Sequence, residues 1–263
     1  MAVCIFQLVP HCLGADRRNP VVVNGTNAEA ISLTPDEKAR LITEARNIAV
    51  RLGKPNLPLT VGCSGGCTRD IIDQTIVAHR NGAAFALVLI PSYFHFALTP
   101  VAIVDFFREV ADDSPIPVVI YNFPDVVAGL DVNSEMLEKL SAHPNICAVK
   151  LTCGGIAKAA RVAETNDPRK FAALAGQGDW LFPALSVGGT GCIAGIANVF
   201  PRVSRSSRSQ QTISLLTSAD PCRDLHSVQA RKDRRGNPTP KESEQGGMGP
   251  RQGWAQRDEM DRR

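Results

Sequence analysis

Residues 116–124 read IPVVIYNFP: an aliphatic run closes on Tyr121 and is broken by Asn122-Phe-Pro124. A strand that is apolar without alternation buries both of its faces, which is the mark of a parallel sheet covered by helices. Further on, Ile146-Cys-Ala-Val-Lys-Leu151 repeats the pattern, and here the apolar run ends on Lys150. Both runs set one reactive polar residue where a buried strand gives out.

Outward from this pair, apolar runs alternate with amphipathic ones along most of the chain. Strands are expected at Val21–Val23, 57–62, 84–90, 116–121, Ile146–Leu151, 171–175 and 190–196. Helices are expected between Thr34 and Gly53, at Thr68–Arg80, and at 99–111, 133–140, 155–164 and 183–187. Thr34-Pro-Asp-Glu37 is a helix start by its chemistry, with a capping threonine, a proline in the first turn and a glutamate to complete a capping box. Leu41, Ala45, Ile48 and Leu52 then recur at helical spacing. Strands separated by helices fit an α/β fold, a (β/α)8 TIM barrel with one unit poorly visible. The runner-up is an open doubly wound sheet, but no Gly-x-Gly-x-x-Gly follows the first strand.

The whole chain sets wide bounds. With 263 residues and 44% hydrophobic content it can bury a large core. A net charge of +3, with no basic stripe in the patterned region, gives no reason to expect nucleic acid. The eight cysteines have no repeating spacing, and several sit in apolar runs, which suits free thiols in a reducing compartment. No apolar run approaches the roughly 20 residues needed to cross a bilayer. The opening MAVCIFQLV lacks a basic start and a cleavage site, so it reads as a strand rather than a signal peptide. The expected location is the cytoplasm, with the mitochondrion as the alternative that Arg17 and Arg18 keep open.

A barrel places its chemistry at the C-terminal ends of its strands. Tyr121 and Lys150, on successive strands, would then face one cavity. An amine in an apolar mouth loses solvation of its charged form, so its pKa falls and it can attack a ketone to give a Schiff base. A phenol beside it can carry protons to and from a substrate hydroxyl. The plainer reading is that Lys150 reaches solvent and Tyr121 fills core.

Four blocks extend the pattern: Gly25-Thr-Asn-Ala-Glu29, Tyr121-Asn-Phe-Pro124, Val149-Lys150 and Gly191-Cys-Ile193. In order and spacing they resemble the class I pyruvate-dependent aldolases, the dihydrodipicolinate synthase/N-acetylneuraminate lyase family. The resemblance runs from about Val21 to Pro201. It implies that Lys150 forms the Schiff base and that Tyr121 shuttles the proton, with Thr26 as relay. Thr26 and Asn27 would hold the keto-acid carboxylate, and Thr152, Gly176 and Ile193 would line the substrate pocket. Tyr93, in Pro91-Ser-Tyr-Phe94, matches a tyrosine that family members insert from a neighbouring subunit, which implies a homodimer or homotetramer. The implied partner is a 2-keto acid such as pyruvate, and the chemistry needs no metal or organic cofactor. Lysine-pathway synthases carry an arginine two residues after the Tyr-Asn-x-Pro proline, and Val126 stands there instead. Asn27 and Lys150-Leu-Thr-Cys-Gly154 are similar to 4-hydroxy-2-oxoglutarate aldolases and to fungal 2-keto-3-deoxy-L-galactonate aldolases. The expected activity is therefore cleavage or condensation of a 2-keto-4-hydroxy acid.

Three segments are expected: an atypical N-terminal segment at 1–20 with a candidate first strand, the barrel at 21–201, and a basic low-complexity tail at 202–263 that reads as disordered. The barrel looks incomplete at its first helix and after its eighth strand. On that ground the alternative is an inactive, truncated member acting through a basic interaction tail. Lesser features are Cys63-Ser-Gly-Gly-Cys67, which lacks a partner pair for a metal, and His95, which follows Tyr93. Gly188-Gly-Thr-Gly191 is expected as a substrate-facing turn.

Overall fold

The strand alternation resolves into two packed layers. The computed structural model describes residues 4–8 and 20–198. Its strands are β1 (Cys4–Leu8), β2 (Val21–Val23), β3 (Leu59–Cys63), β4 (Phe85–Leu89), β5 (Val118–Asn122), β6 (Ile146–Leu151), β7 (Ala172–Ala175) and β8 (Gly191–Ile193). They close into a barrel in sequence order. Side chains on one face of the strands, among them Val61, Val88, Ile120, Val149 and Ala173, pack outward with Ile71, Phe107, Leu137 and Val162 of the helices. The alternate residues Val22, Leu87, Val119, Tyr121, Ala148, Leu174 and Ile193 fill the barrel. Two-sided burial is what the unalternating apolar runs require.

The helices are α1 (Pro35–Arg51), α2 (Thr68–Arg80), α3 (Pro100–Asp113), α4 (Ser134–Ser141), α5 (Ile156–Thr165) and α6 (Leu181–Ser186). Their starts follow the cap chemistry. The Thr34 hydroxyl accepts from Glu37 N–H at 3.3 Å, and Thr34 N–H donates to Glu37 Oε2 at 2.8 Å, a complete capping box. Asn133 Oδ1 caps α4 from Met136 N–H at 2.9 Å, and the Thr99 hydroxyl caps α3 from Ala102 N–H at 3.2 Å.

Two expectations change. Six pairings, from β2 through β8, are parallel, but β1 runs antiparallel to both neighbours: Cys4 pairs with Val22, and Phe6 with Ile193. The short connection from Leu8 to Val21 suits a direct antiparallel return, whereas parallel neighbours are usually joined by a helical crossover. The eighth apolar run, expected at 190–196, is strand only over Gly191–Ile193 and continues as a 3-10 turn at Gly195–Asn198. The tail at 202–263, and the expectation that it is disordered, lie outside the described residues.

Candidate active site

Strand register brings the two reactive residues together. Tyr121 pairs with Lys150 across β5 and β6 near their C-terminal ends. The Lys150 Nζ lies 3.7 Å from the centroid of the Tyr121 ring. Tyr121 is 4% exposed and Lys150 7%. Burial strips water from the amine and penalises its ammonium form. The ring face opposes that effect, because its quadrupole attracts a cation.

A cavity of about 220 Å³ opens above this pair, lined in part by Thr26, Asn27, Tyr121, Lys150, Thr152, Gly176 and Ile193. Thr26 and Asn27 are set there by the way β2 ends. Asn24 turns into the left-handed region at φ 57°, which asparagine tolerates, and a 3-10 turn at Thr26–Ala28 follows. That turn passes so close to β3 that a Cβ on Gly62 would sit 2.0 Å from the Asn24 carbonyl oxygen. Thr152 extends the top of β6: its N–H donates to the Asn122 carbonyl at 2.9 Å. Its hydroxyl oxygen is buried with no hydrogen-bond partner. Gly176 leaves room for it, since a Cβ there would fall 1.8 Å from Thr152 Oγ1.

Seven of the eight expected site residues therefore share one cavity, and Tyr93 stands apart. It sits on the loop after β4, is 79% exposed, and meets Phe94 edge-on at 4.8 Å between ring centroids. His95, beside it, is exposed and turns its Nδ1 to the Ser92 carbonyl at 3.2 Å rather than to the cavity. The Gly188–Gly191 expectation is corrected. This turn leads into the start of β8, at the opposite end of the barrel from the strand termini that frame the cavity. Its job is backbone clearance: Gly188 takes φ 90°, and a Cβ on Gly189 would lie 2.7 Å from the Ala184 carbonyl.

Sequence reasoning missed Val22, Phe123, Gln177 and Gly195, which also line the cavity. Phe123 stacks on Tyr121 at 5.7 Å and 30°. Its signal was available, because it lies two residues past Tyr121 and so on the same side of the strand path. Gln177 and Gly195 could have been found by reading two residues beyond the ends of β7 and β8. Among the described residues, no group of three or more His, Cys, Asp or Glu side chains is placed to hold a metal ion. Cys63 is buried, with its thiol pushed up to about 12 chiefly by desolvation, while Cys67 is exposed.

Comparison with known proteins matches residues 3–213 to the dihydrodipicolinate synthetase family. A protein of Coccidioides immitis (strain RS), whose name is that of a mitochondrial 4-hydroxy-2-oxoglutarate aldolase, is 44% identical over 183 residues; these are 69% of this chain and 57% of that one. An L-threo-3-deoxy-hexylosonate aldolase of Hypocrea jecorina is 38% identical over 190 residues, 70% of this chain and 60% of its own. This chain thus spans under two thirds of the length of these relatives. Among solved structures, a dihydrodipicolinate synthase family protein from Coccidioides immitis superposes with a TM-score of 0.64 at 39% identity, covering 80% of this chain and 64% of that one.

Proposed function

The chain belongs to the dihydrodipicolinate synthetase family, and from that premise we propose that it is a Schiff-base aldolase acting on a 2-keto-4-hydroxy acid. The observation that carries the proposal is the register pairing of Tyr121 with Lys150 over one cavity. The Lys150 amine adds to the C2 carbonyl and water leaves, giving an iminium that accepts electrons. Tyr121 takes the proton of the C4 hydroxyl, the C3–C4 bond breaks, and its electron pair moves into the iminium to form an enamine. The aldehyde departs, C3 is protonated, and hydrolysis returns the amine and frees pyruvate. Reversed, the same steps are an aldol condensation.

Other lining residues take supporting roles. The first N–H groups of a 3-10 turn lack partners within it, so Thr26 and Asn27 can present backbone amides to the keto-acid carboxylate. The Thr26 hydroxyl relays the proton from Tyr121. The buried Thr152 hydroxyl finds its missing partner in a substrate oxygen, and Gly176 and Ile193 shape the wall. Tyr93 acts across a homodimer or homotetramer contact, which its exposed loop with Phe94 and Phe96 would form. The name of the Coccidioides immitis relative favours a mitochondrial over a cytoplasmic location. Closure of the eight described strands supports the aldolase reading over that of an inactive remnant.

Borohydride reduction in the presence of pyruvate, followed by peptide mass mapping, is the test. A pyruvyl adduct on Lys150, lost in Lys150→Ala, is expected. Soluble wild-type protein that forms no adduct would overturn the proposal.

A further inference from the structure

Asn122 is fully buried immediately after Tyr121, and its side chain points to the opposite face of β5. A buried amide must satisfy both of its ends. Here Nδ2 donates to Asp131 Oδ1 at 2.7 Å, and Oδ1 accepts from Val132 N–H at 2.9 Å. Asp131 Oδ1 also receives Lys158 Nζ of α5 at 2.5 Å. Lys158 is only 8% exposed and does not line the cavity, so the mechanism leaves this buried cation unexplained. A buried charge is costly unless it is paired. The backbone completes the figure, because the Asn122 carbonyl accepts from Thr152 N–H. One residue thus ties the tip of β5 to the tip of β6, to the 131–132 segment and, through Asp131, to α5.

We propose that Asn122, Asp131 and Lys158 are positioning residues that fix the Tyr121 phenol against the Lys150 amine from the outer face of the barrel. The kinetic consequence rests on the aldolase reading; the geometric one does not. Proton transfer needs the phenol within hydrogen-bond reach of the C4 hydroxyl, whereas imine formation needs only an accessible amine. Loosening the anchor therefore separates the two steps.

The experiment compares Asp131→Ala with the double variant Asp131→Asn/Lys158→Met, which keeps an oxygen for the Asn122 amide and leaves no buried charge. In Asp131→Ala, kcat for cleavage should fall by roughly 30- to 100-fold, the cost of a misplacement of about 1 Å. Borohydride trapping should stay within about threefold of wild type, since the amine is untouched. The double variant should recover kcat to within about fivefold. Equal losses of trapping and cleavage in Asp131→Ala, a kcat within about threefold, or no recovery in a folded double variant would each overturn the proposal. Should Asp131→Ala fail to fold, Lys158→Met alone decides. It should lower kcat by about three- to tenfold with trapping unchanged, and no loss there overturns the inference. If the wild type itself traps no pyruvate, the aldolase reading fails separately. The anchor is then read from Tyr121 phenolate absorbance in a Tyr93→Phe background, where Tyr121 is the sole tyrosine. Its titration should differ between wild type and Asp131→Ala as the amine and ring separate, and an unmoved titration overturns the proposal.

Discussion

The Tyr121 ring packs in the barrel interior with Leu87, Val119 and Ala148, and in the proposed aldolase reaction it also carries the hydroxyl for the cleavage step. Tyr121→Phe keeps the packing and removes the proton carrier. It should lower cleavage by roughly 10²- to 10⁴-fold while leaving the pyruvyl adduct trappable, which single-turnover and trapping assays distinguish. Cys192, close to this pair, has its thiol pushed up from 9.0 to about 11, chiefly by burial and against the pull of the Lys150 charge. A raised acid favours the folded state while it stays protonated. Its stabilisation is complete below about pH 9 and is lost as pH rises through about 11. Urea titrations should show wild type losing more stability than Cys192→Ala across that window, and equal losses would contradict the assignment. Lys150 and Tyr121 were legible because each interrupts an apolar run. Phe123 carried the same positional signal and was passed over, because an aromatic after a strand reads as core.

At the scale of elements, cap chemistry was easily read. The expected bounds of α2 and β6 coincide with the observed ones, because Thr68–Arg80 and Ile146–Leu151 end where their patterns end. Glu37 is held below the usual carboxylate range, chiefly by the Thr34 N–H, so its part of the cap fades as pH falls through that lowered value. Thr34→Ala should cost about 1 kcal/mol in chemical denaturation at neutral pH. Gly176→Ala should cost more, and should also impair the site. Its Cβ would fall 1.8 Å from Thr152 Oγ1 and 2.6 Å from the Leu151 carbonyl, and the second of these is backbone that cannot swing aside. Melting and kinetics on the same variant check both effects. The eighth strand was overread because Gly191-Cys-Ile-Ala-Gly-Ile-Ala197 is apolar throughout, and periodicity alone cannot tell a short buried strand from a buried turn. The Gly188–Gly191 turn was misplaced for a related reason. Glycines mark where backbone must pass closely, and here the neighbour was α6 rather than a ligand.

For the whole molecule, the closed barrel was legible from the alternation of buried runs and amphipathic helices, but the direction of β1 was not. Hydrophobic pattern identifies a strand and is blind to which way it runs; only the shortness of the link to Val21 carried that information. The exposure of Phe94 and Phe96 beside Tyr93 was likewise hidden, because aromatic residues in a sequence read as interior, whereas Tyr93 itself was expected at a subunit contact. Light scattering should find dimers or tetramers of the wild type, and Phe94→Ser/Phe96→Ser should shift them toward monomer; a monomeric wild type would remove the role given to Tyr93. The reversal of β1 has a practical result for handling the protein. Because that strand descends from the cavity end while β8 ascends to it, Cys4 and Asn198 both lie toward the cavity end of the barrel. An affinity tag or fused domain joined ahead of Cys4 would be carried on the same end as the cavity, and is best removed by cleavage before any turnover is measured.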